Sequence, residues 1–340
     1  MMITKHTQWK PKPVRPRSGL GRTEFVTQEN HGPSHGLTRR EFIVAGLGVA
    51  FAAFWPRQLF GADTKTEPAG PVLGVARGDK NKLVKTAIDQ LGGIGEFVKE
   101  GETVCLKPNI SFAANAECGA TTSAGVVKQV VELCLAAGAA RVLIVDHTIQ
   151  DEKLCVERSG IAAAVTDKSK VSLVTLSKER QYAEVEIPGG RALKMAKVAR
   201  AVLESDKLIN LPTAKSHSAT GVSLGLKNLM GLIWDRGALH QMNLHQAIAD
   251  LALVIKPVLT IVDATRALTS GGPGGPGKTV VLNTVVAGSD PVAVDSYTVG
   301  LTQWYGKAFT GKGVKYIKAA SELGLGEIDS AKMVVKEVKV

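Results

Sequence analysis

The chain has 340 residues, 44% hydrophobic and 21% charged, a globular composition with room for one large or two modest domains. Its formal charge of +11 is uneven: residues 1–62 hold nine Lys/Arg against three Asp/Glu, a net of +6, which leaves +5 for residues 63–340. The basicity is thus about half a property of the leader, aromatics are only 5% without basic–aromatic interleaving, and a nucleic-acid partner is not expected.

Residues 1–37 are rich in Lys, Arg, Pro and Gly and read as a disordered basic tail. "TRREFIVAGLGVAFAAFWP" follows, with Arg39 and Arg40 directly before an apolar run of 13 residues, 43–55. A spanning helix needs about 20 apolar residues, whereas a signal-peptide core needs roughly 7–15. The Arg-Arg pair with Phe42 beyond it fits a twin-arginine export signal, so the chain is expected to meet the twin-arginine translocase and reach the periplasm or cell envelope. Ala62 is a candidate cleavage residue, but Phe60 is too large for a small-x-small rule, and an uncleaved signal would be the only membrane attachment. Residues 63–71 form a polar linker, and 72–340 read as one α/β domain.

Within that domain, apolar runs alternate with helical patterns. "TVCLKPNI" (103–110) is a short strand broken by Pro108. "SAGVVKQVVELCLAAG" (123–138) places Val126, Val127, Val130, Val131, Leu133 and Cys134 at helical spacing and ends in Gly138, a helix stop. "ARVLIVDHT", "VSLVTLS", "KLINLPTAKSH" and "LTIVDATRA" are continuous apolar runs ending in polar residues. This pattern predicts a mostly parallel sheet with helices on both faces. "YAEVEIPGGRAL" alternates around Gly189 and Gly190, which predicts a small β-hairpin insertion.

Ligands of open parallel sheets bind beyond the strand carboxyl ends, so the polar residues there are the candidates. Lys107 and Asn109 supply donors, and Thr121 and Thr122 open a helix whose free N–H groups suit an anion. Asp146 and His147 are adjacent and suit proton transfer or metal binding, although neighbours on a strand face opposite ways. "KSHSATGVSLGLKNLMGLI" brings Lys215, His217, Ser223, Lys227 and Asn228, too many donors to bury without a partner. His240, His245 and Asp295 complete a weak metal set with His147; their spacing is not that of a helical metal pair. Asp290-Pro291 reads as a helix start, and "SGGPGGPG" (270–277) as a glycine-rich loop without a phosphate-binding motif. Cys105 and Cys134 look like core residues, Cys118 like an exposed thiol, and the four cysteines with Cys155 lack cluster spacing.

Together, "CLKPNI", "TTSAGVVKQVVELCLAAGAARVLIVDHT", "LPTAKSHSATGVSLGLKNLMGLI", "LTIVDATRA" and "VVAGSDPVAVDSYTVG" resemble the domain-of-unknown-function 362 family over roughly 71–337. Some members of that family carry an added four-iron ferredoxin module, for which this chain has no cysteine run. The step Asp146-His147-Thr148-Ile149 is also similar to the Asp-His-Thr-Arg step of nickel-pincer lactate racemases, with Ile149 where those carry arginine. That likeness implies proton or hydride transfer next to the carboxylate of a small acid.

Three functions follow from these residues. The first is an exported enzyme acting on a small anionic molecule, with His217 as acid/base, Lys215, Asp146 and Asp263 assisting, and Lys107, Asn109, Thr121, Thr122, Ser223, Lys227 and Asn228 binding substrate. The second is a metal or iron–sulfur redox carrier built on the histidine and aspartate set, its cofactor unidentified with a metal ion as the candidate. The third is a periplasmic binding protein for a small anion.

Overall fold

In the computed structural model, which describes residues 70–340, strands and helices alternate along the chain. The strands are β1 (Val72–Arg77), β2 (Thr103–Pro108), β3 (Arg141–Asp146), β4 (Val171–Thr175), β5 (Tyr182–Glu186), β6 (Met195–Ala199), β7 (Lys207–Leu211), β8 (Thr213–His217), β9 (Gly221–Ser223), β10 (Leu259–Leu268), β11 (Thr279–Gly288), β12 (Gln303–Trp304), β13 (Lys307–Ala308) and β14 (Val334–Lys339). The α-helices are α1 (Leu83–Asp89), α2 (Ala124–Ala136), α3 (Glu152–Ser159), α4 (Arg200–Leu203), α5 (Gly225–Asn228), α6 (Arg236–Leu239), α7 (Leu244–Leu251), α8 (Pro291–Val299) and α9 (Lys315–Glu322). The signal region expected over 1–62 and most of the linker lie outside the described residues. No helix among the described residues is long and apolar enough to cross a membrane.

Ten strands form one sheet in the order β14-β1-β11-β10-β7-β2-β3-β4, with β8 joined to β10 and β9 to β8. Every pairing from β10 through β7, β2 and β3 to β4 is parallel. β11 runs antiparallel to β10 and β1, and β14 lies parallel to β1. The parallel α/β centre agrees with the continuous apolar runs, because both faces are covered. Leu83, Val84, Val127 and Val131 of α1 and α2 pack on one face with Val104, Leu106, Ile144 and Ile209. Ile248, Val294 and Ile317 of α7, α8 and α9 cover the other, with Cys105, Leu208, Val262 and Val286. The predicted hairpin is present as the separate antiparallel pair β5–β6.

Strand alternation decides where the polar residues go. Val104 and Leu106 face α1 and α2, so Cys105 and Lys107 face the opposite way. Ile209 and Leu211 do the same in β7, which leaves Asn210 beside Lys107. Thr260 of β10 pairs with Asn210, so Lys107, Asn210 and Thr260 form a polar row across three neighbouring strands. From β2 the chain steps outward to β3 and β4, then returns to place β7 on the other flank of β2. That reversal opens a crevice at the carboxyl ends of β2 and β7.

Two helix starts have different occupants from one another. At α8, Asp290 accepts from the N–H groups of Val292 and Ala293 at 2.9 and 2.8 Å, and Pro291 sits at the first position, as expected. At α2, the expected free anion site is filled by the protein itself: Asp263 Oδ2 accepts from Ser123 N–H at 2.8 Å. The loop 270–277 between β10 and β11 folds back over β8, where Gly272 N–H donates to Ser216 Oγ at 3.0 Å. A Cβ on Gly272 would lie 1.9 Å from the Ser216 carbonyl oxygen, which is why glycine stands at this contact.

Candidate functional site: a cationic crevice at the sheet reversal

The crevice is built on a chain of buried hydrogen bonds. Lys107 and Asp146 form an ion pair of 2.8 Å with both side chains wholly buried. Lys107 Nζ also donates to the Pro108 carbonyl at 2.7 Å and Asn228 Oδ1 at 3.3 Å. Burial pulls the Lys107 pKa down and the Asp146 carboxylate pushes it up, burial being the larger effect. Asn228 Oδ1 accepts from Asn109 Nδ2 at 3.0 Å, while its own Nδ2 donates to Asn210 Oδ1 at 2.9 Å and the Lys107 carbonyl at 3.0 Å. Asn109 Oδ1 in turn accepts from Lys215 Nζ at 2.9 Å. Lys215 spends a second proton on the Ala120 carbonyl at 2.6 Å and lies 4.8 Å from the centre of the Phe112 ring. One N–H of Lys215 is left for the cavity.

Gly231 closes the crevice floor. A Cβ there would lie 2.4 Å from Asp146 Oδ1 and 2.7 Å from Lys107 Nζ, so only glycine lets this turn cover the ion pair. The start of α5 is fixed from outside the cavity by Asp295, whose carboxylate accepts from Gly225 and Leu226 N–H at 2.7 and 2.9 Å. Burial pushes Asp295 up to about 7.

Above this base lies a cavity of about 310 Å³ lined by Asn109, Lys215, His217, Ser223, Lys227, Asn228, Arg236 and His240, with Pro273 of the loop at its edge. No Asp or Glu lines it. Lys215, Lys227 and Arg236 make no ion pair among the described residues; Arg236 is anchored through the His147 and Thr148 carbonyls at 2.6 and 2.8 Å. Burial, with Lys227 nearby, lowers Lys215 to about 7. Burial and the charge of Arg236 lower Lys227 to about 8. Burial together with the two lysines lowers His217 to about 3. The Nδ1 of His217 accepts from Ala219 N–H at 3.2 Å, so its neutral ring presents Nε2–H to the cavity. The arrangement is therefore a set of donors and cations around an empty centre, suited to a small anion.

Residues 104–300 match the family described as "Domain of unknown function (DUF362)". The chain belongs to the DUF362 family. The cavity residues named above all fall inside the DUF362 region. The thylakoid-associated protein sll1697 of Synechocystis sp. (strain ATCC 27184 / PCC 6803 / Kazusa) is 26% identical over 204 residues, 56% of this chain, and the chain spans 60% of that relative's length. The lactate racemase apoprotein from Thermoanaerobacterium thermosaccharolyticum is similar in structure with a TM-score of 0.43 and 11% identity, covering 64% of this chain and 54% of that one.

Within the DUF362 region, Asn109, Lys215, His217, Ser223, Lys227 and Asn228 line the one cavity. Lys107, expected to bind substrate, and Asp146, expected to assist catalysis, are instead wholly buried beneath its floor in their ion pair and do not line it. Six other expected residues do not join the cavity either. Asp263 holds Ser123 and its own neighbour Thr265, whose hydroxyl donates to it at 2.6 Å. Thr121 and Thr122 bond to the Ala114 and Leu211 carbonyls and so brace the turn before α2. His147 stacks on Trp234 with ring centres 5.7 Å apart and turns away from Asp146. His245 sits on α7 with a buried, unpartnered Nδ1, and Asp295 serves α5. His240, unlike those six, does line the cavity, at its exposed mouth. Among the described residues no three His, Cys, Asp or Glu side chains are placed to hold a metal ion. Of the cavity-lining side chains only His217 and His240 are of a metal-ligating type, and no carboxylate or thiol lines the cavity beside them. The four cysteines are unpaired, with Cys105 and Cys134 in opposite cores and Cys118 exposed.

Arg236, Asn210, Ser111 and Phe112 were not legible as site residues. Asn210 carried one signal: an amide in the middle of the apolar run "KLINL" is costly unless bonded on both ends. Arg236 carried none, because it reaches the crevice from a one-turn helix far along the chain.

Proposed function

We propose that this DUF362 protein is an enzyme acting on a small organic anion held in the crevice, exported by the twin-arginine route. One observation carries the proposal: Lys215, Lys227 and Arg236 face a single cavity without a carboxylate among its lining residues. Three unpaired cations are costly in such a place unless they lose protons or receive an anion. The cavity is at the small end of ligand sites, which suits a substrate of a few heavy atoms. Lys215, poised at about 7, is the group able to exchange a proton with substrate at neutral pH. His217, neutral throughout that range, acts as a fixed donor to a substrate oxygen and not as the base. The Lys107–Asp146 pair and the asparagines hold Lys215 in position. Export is supported by Arg39 and Arg40 before the short apolar run.

The test is a panel of small carboxylates and phosphates incubated with the protein, read by proton NMR for turnover and by calorimetry for binding. Binding with turnover that is lost in Lys215→Met supports the enzyme. Tight binding of one anion without turnover makes the protein a receptor. No binding of any anion sinks both.

A further inference from the structure

The two lysines of the cavity are held differently. Lys215 Nζ is fixed by Ala120 O at 2.6 Å and Asn109 Oδ1 at 2.9 Å. Lys227 is 9% exposed and lines the same cavity, but its Nζ makes no hydrogen bond or ion pair among the described residues. An amine kept from water without a partner favours its neutral form, and a neutral amine carries a free lone pair. Nothing acidic lines the cavity to hold a proton on it.

We propose that Lys227 is a nucleophile that forms an imine with a small 2-oxo carboxylate, whose carboxylate group lies against Lys215 and Arg236. This deepens the small-anion reading and rests on it. A ligand for this cavity needs a negative charge for the fixed cations and an electrophilic carbon for the loose amine; a 2-oxo acid carries the two on adjacent atoms. His217 Nε2–H supplies a donor for the carbonyl oxygen during attack. The Nζ lone pair forms the C–N bond, and the C=O electrons move to oxygen. That oxygen takes both amine hydrogens and leaves as water, so the step needs no oxidant, reductant or other reactant. A proton taken up from solvent on the imine nitrogen then draws electrons from carbon 3 of a substrate such as pyruvate, which favours loss of a proton there. Burial and Arg236, which lower Lys227 to about 8, leave a minor neutral fraction of it at neutral pH. The bound carboxylate favours the charged form of Lys215, which in the ligand-free protein is the lower of the two at about 7.

The experiment incubates the full chain with pyruvate or glyoxylate and sodium borohydride, then locates adducts by peptide mass mapping. Calorimetry with the same acids, and with oxalate, runs in parallel. The expected result is one reduced adduct on the peptide bearing Lys227, suppressed by oxalate, and absent in Lys227→Arg, which keeps the charge. Oxo-acid binding without any adduct, or an adduct confined to Lys215, overturns the imine while leaving the anion site standing. Adducts scattered over surface lysines overturn it as well. No binding of pyruvate, glyoxylate or oxalate overturns the imine and the anion reading together.

Discussion

At the scale of single residues, the crevice has a titration signature with a definite sign. Lys215 and Lys227 sit at about 7 and about 8 in the fold, against 10.5 in the unfolded chain. Between those values the unfolded chain binds more protons, so stability of the ligand-free protein rises as pH increases from about 7 toward 10.5. Below about pH 7 both lysines are charged in both states and the full penalty of burying them is present. Lys227→Met should raise the thermal midpoint there by roughly 2–6 °C and flatten the pH dependence, as read by calorimetry. A midpoint lowered by the substitution would contradict unpaired burial. Gly231→Ala should cost about 1–3 kcal/mol in denaturant unfolding, because its methyl group would push apart Lys107 and Asp146. Much of the polar set was legible at this scale: Lys107, Lys215, His217 and Lys227 stand out as charges next to apolar strands. Asp263 and Asp295 stand out equally, yet bond to backbone N–H groups of α2 and α5. Sequence shows that a buried carboxylate needs a partner but not whether the partner is substrate or main chain.

At the scale of elements, the loop 270–277 is a cover that glycine allows to lie directly on β8. Ser216 Oγ is its polar latch through Gly272 N–H. Ser216→Ala should therefore speed anion release by several-fold in stopped-flow, at a stability cost of about 1 kcal/mol; an unchanged release rate would remove the cover from the account. The parallel centre, the helix over α2, the hairpin β5–β6 and the α8 start were legible, since each rests on local periodicity or capping. The antiparallel strand β11 and the pairing of β1 with the distant β14 were not. Their register depends on which sheet edge remains uncovered after the centre is built, and no local pattern encodes that.

At the scale of the whole molecule, the reversal of strand order at β2 explains why residues as far apart as Lys107 and Lys227 meet around one crevice. The leader is an independent part of the account. Arg39→Lys with Arg40→Lys should leave the protein in the cytoplasm, seen by cell fractionation, without altering anion affinity of the purified chain. The central claim is that the crevice selects a small anion through cations that lack internal partners. Isothermal titration of oxalate and pyruvate into the wild type and Lys215→Met, at pH values below 7 and above 9, tests it most directly. The account predicts binding that weakens as pH rises through about 7 to 8 and is lost in the variant. Affinity that is independent of pH, or equal in the two proteins, would contradict it.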